Sequence, residues 1–127
     1  MAAFRAILTA EREVGGSAIE IDSDYKRWEV DVLVDWTEHE LDISTDGDTL
    51  LRNENSDADT DDFRRLAAVT HSMAEATMVA LENTPGDVAE VSLQTTNGTV
   101  IWDVTIEQES GGFAYVGINA GTGEVIR

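Results

Sequence analysis

Hydrophobic and polar residues recur along this chain with two different periods. From Met1 to Arg12, Phe4, Ile7 and Leu8 share a face, with Ala2, Ala3, Ala6 and Ala10 filling in, which predicts a short helix broken by Val14-Gly15-Gly16. A period of two follows. Ala18 to Asp22 puts Ile19 and Ile21 on one face. Trp28 to Trp36 puts Trp28, Val30, Val32, Val34 and Trp36 opposite Glu29, Asp31, Leu33 and Asp35. Glu38 to Ser44 puts His39, Leu41 and Ile43 opposite Glu38, Glu40 and Asp42. This alternation predicts strands of a half-buried antiparallel sheet. Asp46-Gly47 reads as a turn into a short segment, Thr49 to Leu51.

Asn53 to Asp62 (NENSDADTDD) is polar throughout and reads as a linker. Beyond it Phe63, Leu66, Thr70, Met73, Thr77 and Leu81 recur at spacings of three and four, predicting one helix of about five turns. Asp59 or Thr60 can cap it, Asp61 and Asp62 suit its positive end, and Asn83-Thr84-Pro85-Gly86 stops it. Strand signals then return over Val88 to Thr96, Thr99 to Glu107 and Phe113 to Ala120, with turns at Asn97-Gly98 and Gly111-Gly112. Thr122-Gly123 leads into a last segment, Glu124 to Ile126.

The order of helix and strands thus occurs twice. A shift of 74 places Val14 on Val88, Ile19 on Leu93 and Trp28 on Trp102, and Ile43 then corresponds to Ile118. The expected fold is α+β, two tandem repeats of a helix packed on an antiparallel sheet. The repeats span residues 1–52 and 63–127, the linker lies at 53–62, and the two units share one core.

The second repeat resembles the PepSY domain, the peptidase propeptide and YpeB domain. The resemblance rests on Pro85-Gly86-Asp87-Val88, Val91-Ser92-Leu93, Asn97-Gly98 before VIWDV, Ala114 to Ala120, and above all Asn119-Ala120-Gly121-Thr122-Gly123-Glu124-Val125-Ile126. The first half reads as a degraded copy that keeps WEVDV and ends in ISTDGDTLL. The resemblance implies an envelope or secreted setting, with a leader or lipid anchor removed, and a role restraining peptidases or binding peptides. It brings no catalytic residue. It also implies structural roles: Trp28 and Trp102 as core anchors, Gly86 in the Pro-Gly turn, and Gly123 as a turn glycine.

Composition narrows the partners. Thirteen Asp and thirteen Glu face seven Arg and the single Lys26, for a net charge of −18, which disfavours nucleic acid and anionic membranes. There is no cysteine, so no disulfide, thiolate metal site or cysteine nucleophile. No apolar run reaches the roughly 20 residues of a membrane span. His71 and Ser72 are helix neighbours and do not face each other, and no phosphate loop or His-based zinc motif occurs, so no enzyme is expected.

Two partner surfaces suggest themselves. The polar face of the first strands, with Asp31, Glu40 and Asp42, is either a hydrated surface or the contact for a cationic partner. The outward positions of the second strands, with Ile101, Phe113 and Tyr115, are apolar enough for an interface, unless the other repeat covers them. Asp57, Asp59 and Asp61 alternate like calcium ligands, but the EF-hand template fails, with Asp62 at its glycine position and Ala68 at its glutamate position. No cofactor is expected. The expected function is non-catalytic binding of a protein or peptide, such as a peptidase. The alternative is an acidic, calcium- or salt-responsive envelope protein.

Overall fold

The structure, a computed structural model, describes residues 2–127. Ten elements follow in order: α1 (Ala2–Val14), β1 (Ser17–Ser23), β2 (Trp28–Val34), β3 (Thr37–Ile43), β4 (Leu50–Asp57), α2 (Thr60–Ala67), α3 (Met73–Asn83), β5 (Asp87–Thr96), β6 (Thr99–Glu107) and β7 (Phe113–Asn119). The strands form one antiparallel sheet in the order β4-β3-β2-β1-β5-β6-β7. Hairpins therefore run outward in both directions from a central β1–β5 pair, in which Ile21 stands opposite Val91.

The period-two pattern decides which face is buried. Ile21, Val30, Val32, Leu41, Ile43, Val91, Trp102, Val104, Ile106, Val116 and Ile118 form a core with Ala3, Ala6, Ile7 and Ala10 of α1 and Met73, Ala76 and Ala80 of α3. Burying the apolar stripe of each helix against this face is the main stabilising term. Alanines at the α1 contact let the helix approach closely, and the Thr9 hydroxyl donates to the Gly47 carbonyl at 2.6 Å. Gly15 ends α1 at φ 75° and Asn97-Gly98 turns at φ 51° and 79°, left-handed positions that the sequence fills with suitable residues.

Four expectations are corrected. The first concerns the linker: Asn53 to Asp57 belongs to β4, because its backbone finds a complete partner in β3, from Asp42↔Arg52 to Thr37↔Asp57. Only Ala58 and Asp59 separate β4 from α2. The second concerns the five-turn helix, which is two helices. Thr70 and His71 give their amide N–H groups to the Ala120 carbonyl at 3.0 and 3.1 Å, and Trp102 Nε1 donates to the His71 carbonyl at 2.8 Å. Ser72 then caps α3 by accepting the Glu75 N–H at 3.3 Å.

The third is Trp36, which sits in the β2–β3 turn after Asp35 (φ 53°) and leaves the inward register. It is 62% exposed and stacks on Phe63 with ring centroids 4.0 Å apart. The fourth is the alignment of the first strands. The β-bulges fall between Ala18 and Glu20 and between Val88 and Glu90, so Ala18, not Val14, stands in the place of Val88. Trp28 and Trp102 do match, opposite Ile43 and Ile118. The helix expected from Met1 is described from Ala2; Met1 lies outside the described residues.

Candidate functional site: the acidic open face

The helices cover one side of the sheet, and the alternate side chains stand on the other. On β1–β4 these are nearly all charged, and strand register lines them up in rows. Glu20 pairs with Asp31, Asp31 with Glu40, and Glu40 with Glu54. One step along, Asp22 pairs with Glu29, Glu29 with Asp42, and Asp42 with Arg52. Directly opposed like charges destabilise a sheet unless something compensates them.

The two rows are compensated differently. Asp42 receives Arg52 Nε at 3.1 Å and Arg27 Nε at 3.5 Å, and Arg27 also lies 3.6 Å from Glu29. Glu54 takes Arg52 Nη1 at 2.6 Å. No ion pair reaches Glu20, Asp31, Glu38 or Glu40 among the described residues. Burial, with Glu20, Glu38 and Glu40 around it and a hydrogen bond to Glu20, pushes the Asp31 carboxyl up to about 7. Glu38 is raised by burial and then by Asp62, Glu40, Glu20 and Asp59, and Glu90 by burial and then by Asp22 and Glu20. The face holds a shallow depression of about 230 Å³ lined by residues of both rows, including Asp31, Glu40, Asp42 and Arg52.

The structure thus brings Asp31, Glu40 and Asp42 onto one surface. Glu20 and Glu38 complete it; their outward register was the signal for them, but only Glu38 has an oxygen that converges with those of Asp31 and Glu40, all within 4.8 Å. Asp57, Asp59 and Asp61 do not converge in this way, because Asp57 ends β4 and Asp59 is used as the α2 cap, accepting the Asp61 N–H at 2.8 Å. Ile101 is also corrected: it is fully buried in β6, flanked by Gln94 and Asn119 on the neighbouring strands, and offers no contact surface. Phe113 and Tyr115 are 54% and 73% exposed. Gly86 and Gly123 sit where a side chain would collide. A Cβ on Gly86 would lie 2.5 Å from the Glu107 carbonyl oxygen, and one on Gly123, at φ 80°, would lie 2.9 Å from the His71 ring.

A second depression, about 270 Å³, lies where α1, β1 and the α2–α3 junction meet, lined by Glu11, Thr70, Glu75 and Trp102 among others. Burial raises the Glu11 carboxyl, and the Ala18 N–H it accepts at 2.9 Å opposes that.

The α3–β7 half, with its TGEV turn closing on His71, has a counterpart among known families. Residues 72–127 are similar to the PepSY domain. They match the family described as "Peptidase propeptide and YPEB domain", from the Ser72 cap of α3 to the C-terminus. No curated protein matches the chain in sequence. Among solved structures, the fold is similar to that of a "putative lipoprotein" from Clostridium difficile 630. The TM-score is 0.53 at 17% identity, over 96% of this chain and 88% of that one. The likeness is one of fold and extends well beyond the PepSY domain into α1 and β1–β4. Among the described residues no helix is long and apolar enough to cross a membrane.

Proposed function

We propose that the chain is a non-catalytic binding module of the cell envelope or secreted fraction, which holds a protein or peptide partner and restrains a peptidase in trans. The PepSY domain supports the peptidase connection. We also read the molecule as two PepSY-like units, with the boundary between β4 and α2. The paired bulges and the two Trp–Ile pairs support that duplication.

The observation that carries the reading is the uncompensated row Glu20–Asp31–Glu40 on an open sheet face, which a basic partner would neutralise. The test is a pull-down from envelope and secreted fractions, with this chain as bait and a charge-reversed control at Asp31, Glu40 and Asp42. A peptidase retained and slowed by the native chain, and lost by the control, is the expected result. Recovery of no peptidase at low and moderate salt overturns it.

The convergent oxygens of Asp31, Glu38 and Glu40 favour a second reading, an acidic calcium- or salt-responsive envelope protein. That reading requires millimolar calcium to raise the melting temperature more than sodium chloride at equal ionic strength. Equal shifts leave charge screening alone.

A further inference from the structure

The two edges of the sheet are finished differently. At β7 the C-terminal segment folds back on the strand: Ile118 bridges Val125, Gly117 N–H donates to the Arg127 carbonyl at 3.1 Å, and Ile126 N–H donates to the Gly117 carbonyl at 2.9 Å. At the other edge β4 runs for eight residues with no strand on its outer side among the described residues. It contains neither Pro nor Lys, the residues that commonly blunt an edge.

The direction of its free groups follows from the pairing. Ala58 N–H donates to the Trp36 carbonyl at 2.8 Å, so hydrogen-bonded pairs recur at Glu38↔Ser56, Glu40↔Glu54 and Asp42↔Arg52. The N–H and C=O groups of Asn53, Asn55 and Asp57 therefore point away from β3. An added strand would set alternate side chains beside Arg52, Glu54 and Ser56, on the acidic face. Behind Glu54 lie Glu40, Asp31 and Glu20, and behind Ser56 lies Glu38.

We propose that β4 is a docking edge for an extended basic peptide segment, which joins the sheet as an eighth, antiparallel strand. Lysine or arginine lies beside Glu54 and Ser56, and an uncharged or acidic residue beside Arg52. The inference rests on the reading of a basic peptide partner and adds where that partner binds and in what register. Charge selects this occupant over a second copy of the chain. Pairing β4 with β4 would join two acidic faces on molecules that each carry −18. The backbone bonds supply affinity and the alternating side chains supply specificity.

The register sets up a sharp test. The probe is a synthetic octapeptide with lysine at two alternate positions among threonine and valine, titrated onto the full chain at low salt. In the docked strand the intervening residues aim their N–H groups at β4 and the lysines aim theirs away. N-methylation of the intervening residues is expected to weaken binding at least about tenfold, and N-methylation of the lysines to leave it nearly unchanged. Asn55→Pro removes one outward donor and no β3 hydrogen bond, and is expected to match the first result while the melting temperature holds. On binding, the amides of Asn53, Asn55 and Asp57 gain protection from hydrogen exchange.

Equal binding by both methylated peptides overturns the docking edge and leaves the basic partner on the sheet face. Failure of every lysine peptide to bind overturns the edge and the basic-partner reading together. A concentration-dependent dimer abolished by Asn55→Pro overturns it in favour of self-association.

Discussion

Trp28 and Trp102 hold matching places in the sheet, each opposite an isoleucine, yet their surroundings differ. Trp102 is fully buried, and its indole N–H binds the carbonyl of His71 where the helical chain breaks. Trp28 is only half-buried and donates to the Thr45 carbonyl at 3.2 Å in an exposed loop. The open faces differ in parallel. Beside Trp102 they carry Ser92, Gln94, Thr105 and Tyr115 with two carboxylates, Glu90 and the Arg127-paired Asp103, and beside Trp28 they carry the directly opposed carboxylate rows. Both halves supply the shared core, but the C-terminal one seals its tryptophan inside it, while the N-terminal one leaves Trp28 at its margin and places opposed rows of carboxylates on a surface that folding alone does not require.

That contrast can be broken most directly by truncating the tryptophans. Trp102→Ala is expected to cost about 3–5 kcal/mol, because it leaves a sealed cavity and frees the His71 carbonyl. Trp28→Ala is expected to cost about half as much, since solvent reaches its site. Denaturant unfolding of both variants checks this, and equal losses would erase the distinction between the halves.

The next effect concerns pH. Asp31 binds its proton more tightly folded than unfolded, so its contribution is complete below about pH 4 and is lost as the pH rises through 7. Glu11, Glu38 and Glu90 are shifted the same way. Stability should therefore fall between pH 5 and pH 8. Asp31→Asn should flatten that fall and gain about 1–2 kcal/mol at pH 8, once screening of a partly exposed group is allowed for. A wild-type unfolding midpoint that rises across this window would contradict the raised carboxyls. Sodium chloride should stabilise the protein more at pH 8 than at pH 5, as thermal melts at matched pH would show.

The smallest effect tests the helix break. Ser72→Ala removes the α3 cap and is expected to cost about 1 kcal/mol. In one continuous helix Ser72 would be an interior position and alanine would stabilise it, so the sign of the change discriminates.

Much of the fold was legible. The bounds of β6 and the start of β7 follow from alternation and from the turns at Asn97-Gly98 and Gly111-Gly112, because a half-buried strand must alternate and these turns need left-handed residues. The Ser72–Glu75 capping pair was also present in the sequence, but the apolar stripe from Leu66 to Thr77 runs through the break and masks it. Strand β4 was hidden for another reason. All but one of its residues are exposed, so neither face carries a hydrophobic signal, and only its hydrogen bonds to β3 make it a strand. The candidate site was half legible: alternation put Asp31, Glu40 and Asp42 on one face but could not show which carboxylates an arginine would reach.

The sequence by itself determined α1, β2, β3, β5, β6 and β7, most of their buried positions and the strongly acidic surface, because these depend on periodicity and composition within a few residues. Tertiary structure alone decided that β1 and β5 join the halves into one sheet, that Ala120 and Trp102 divide the helix, and that among the described residues no cation reaches Asp31 while two reach Asp42. Each of those outcomes depends on groups distant in sequence meeting at hydrogen-bond range. No local pattern encodes that distance.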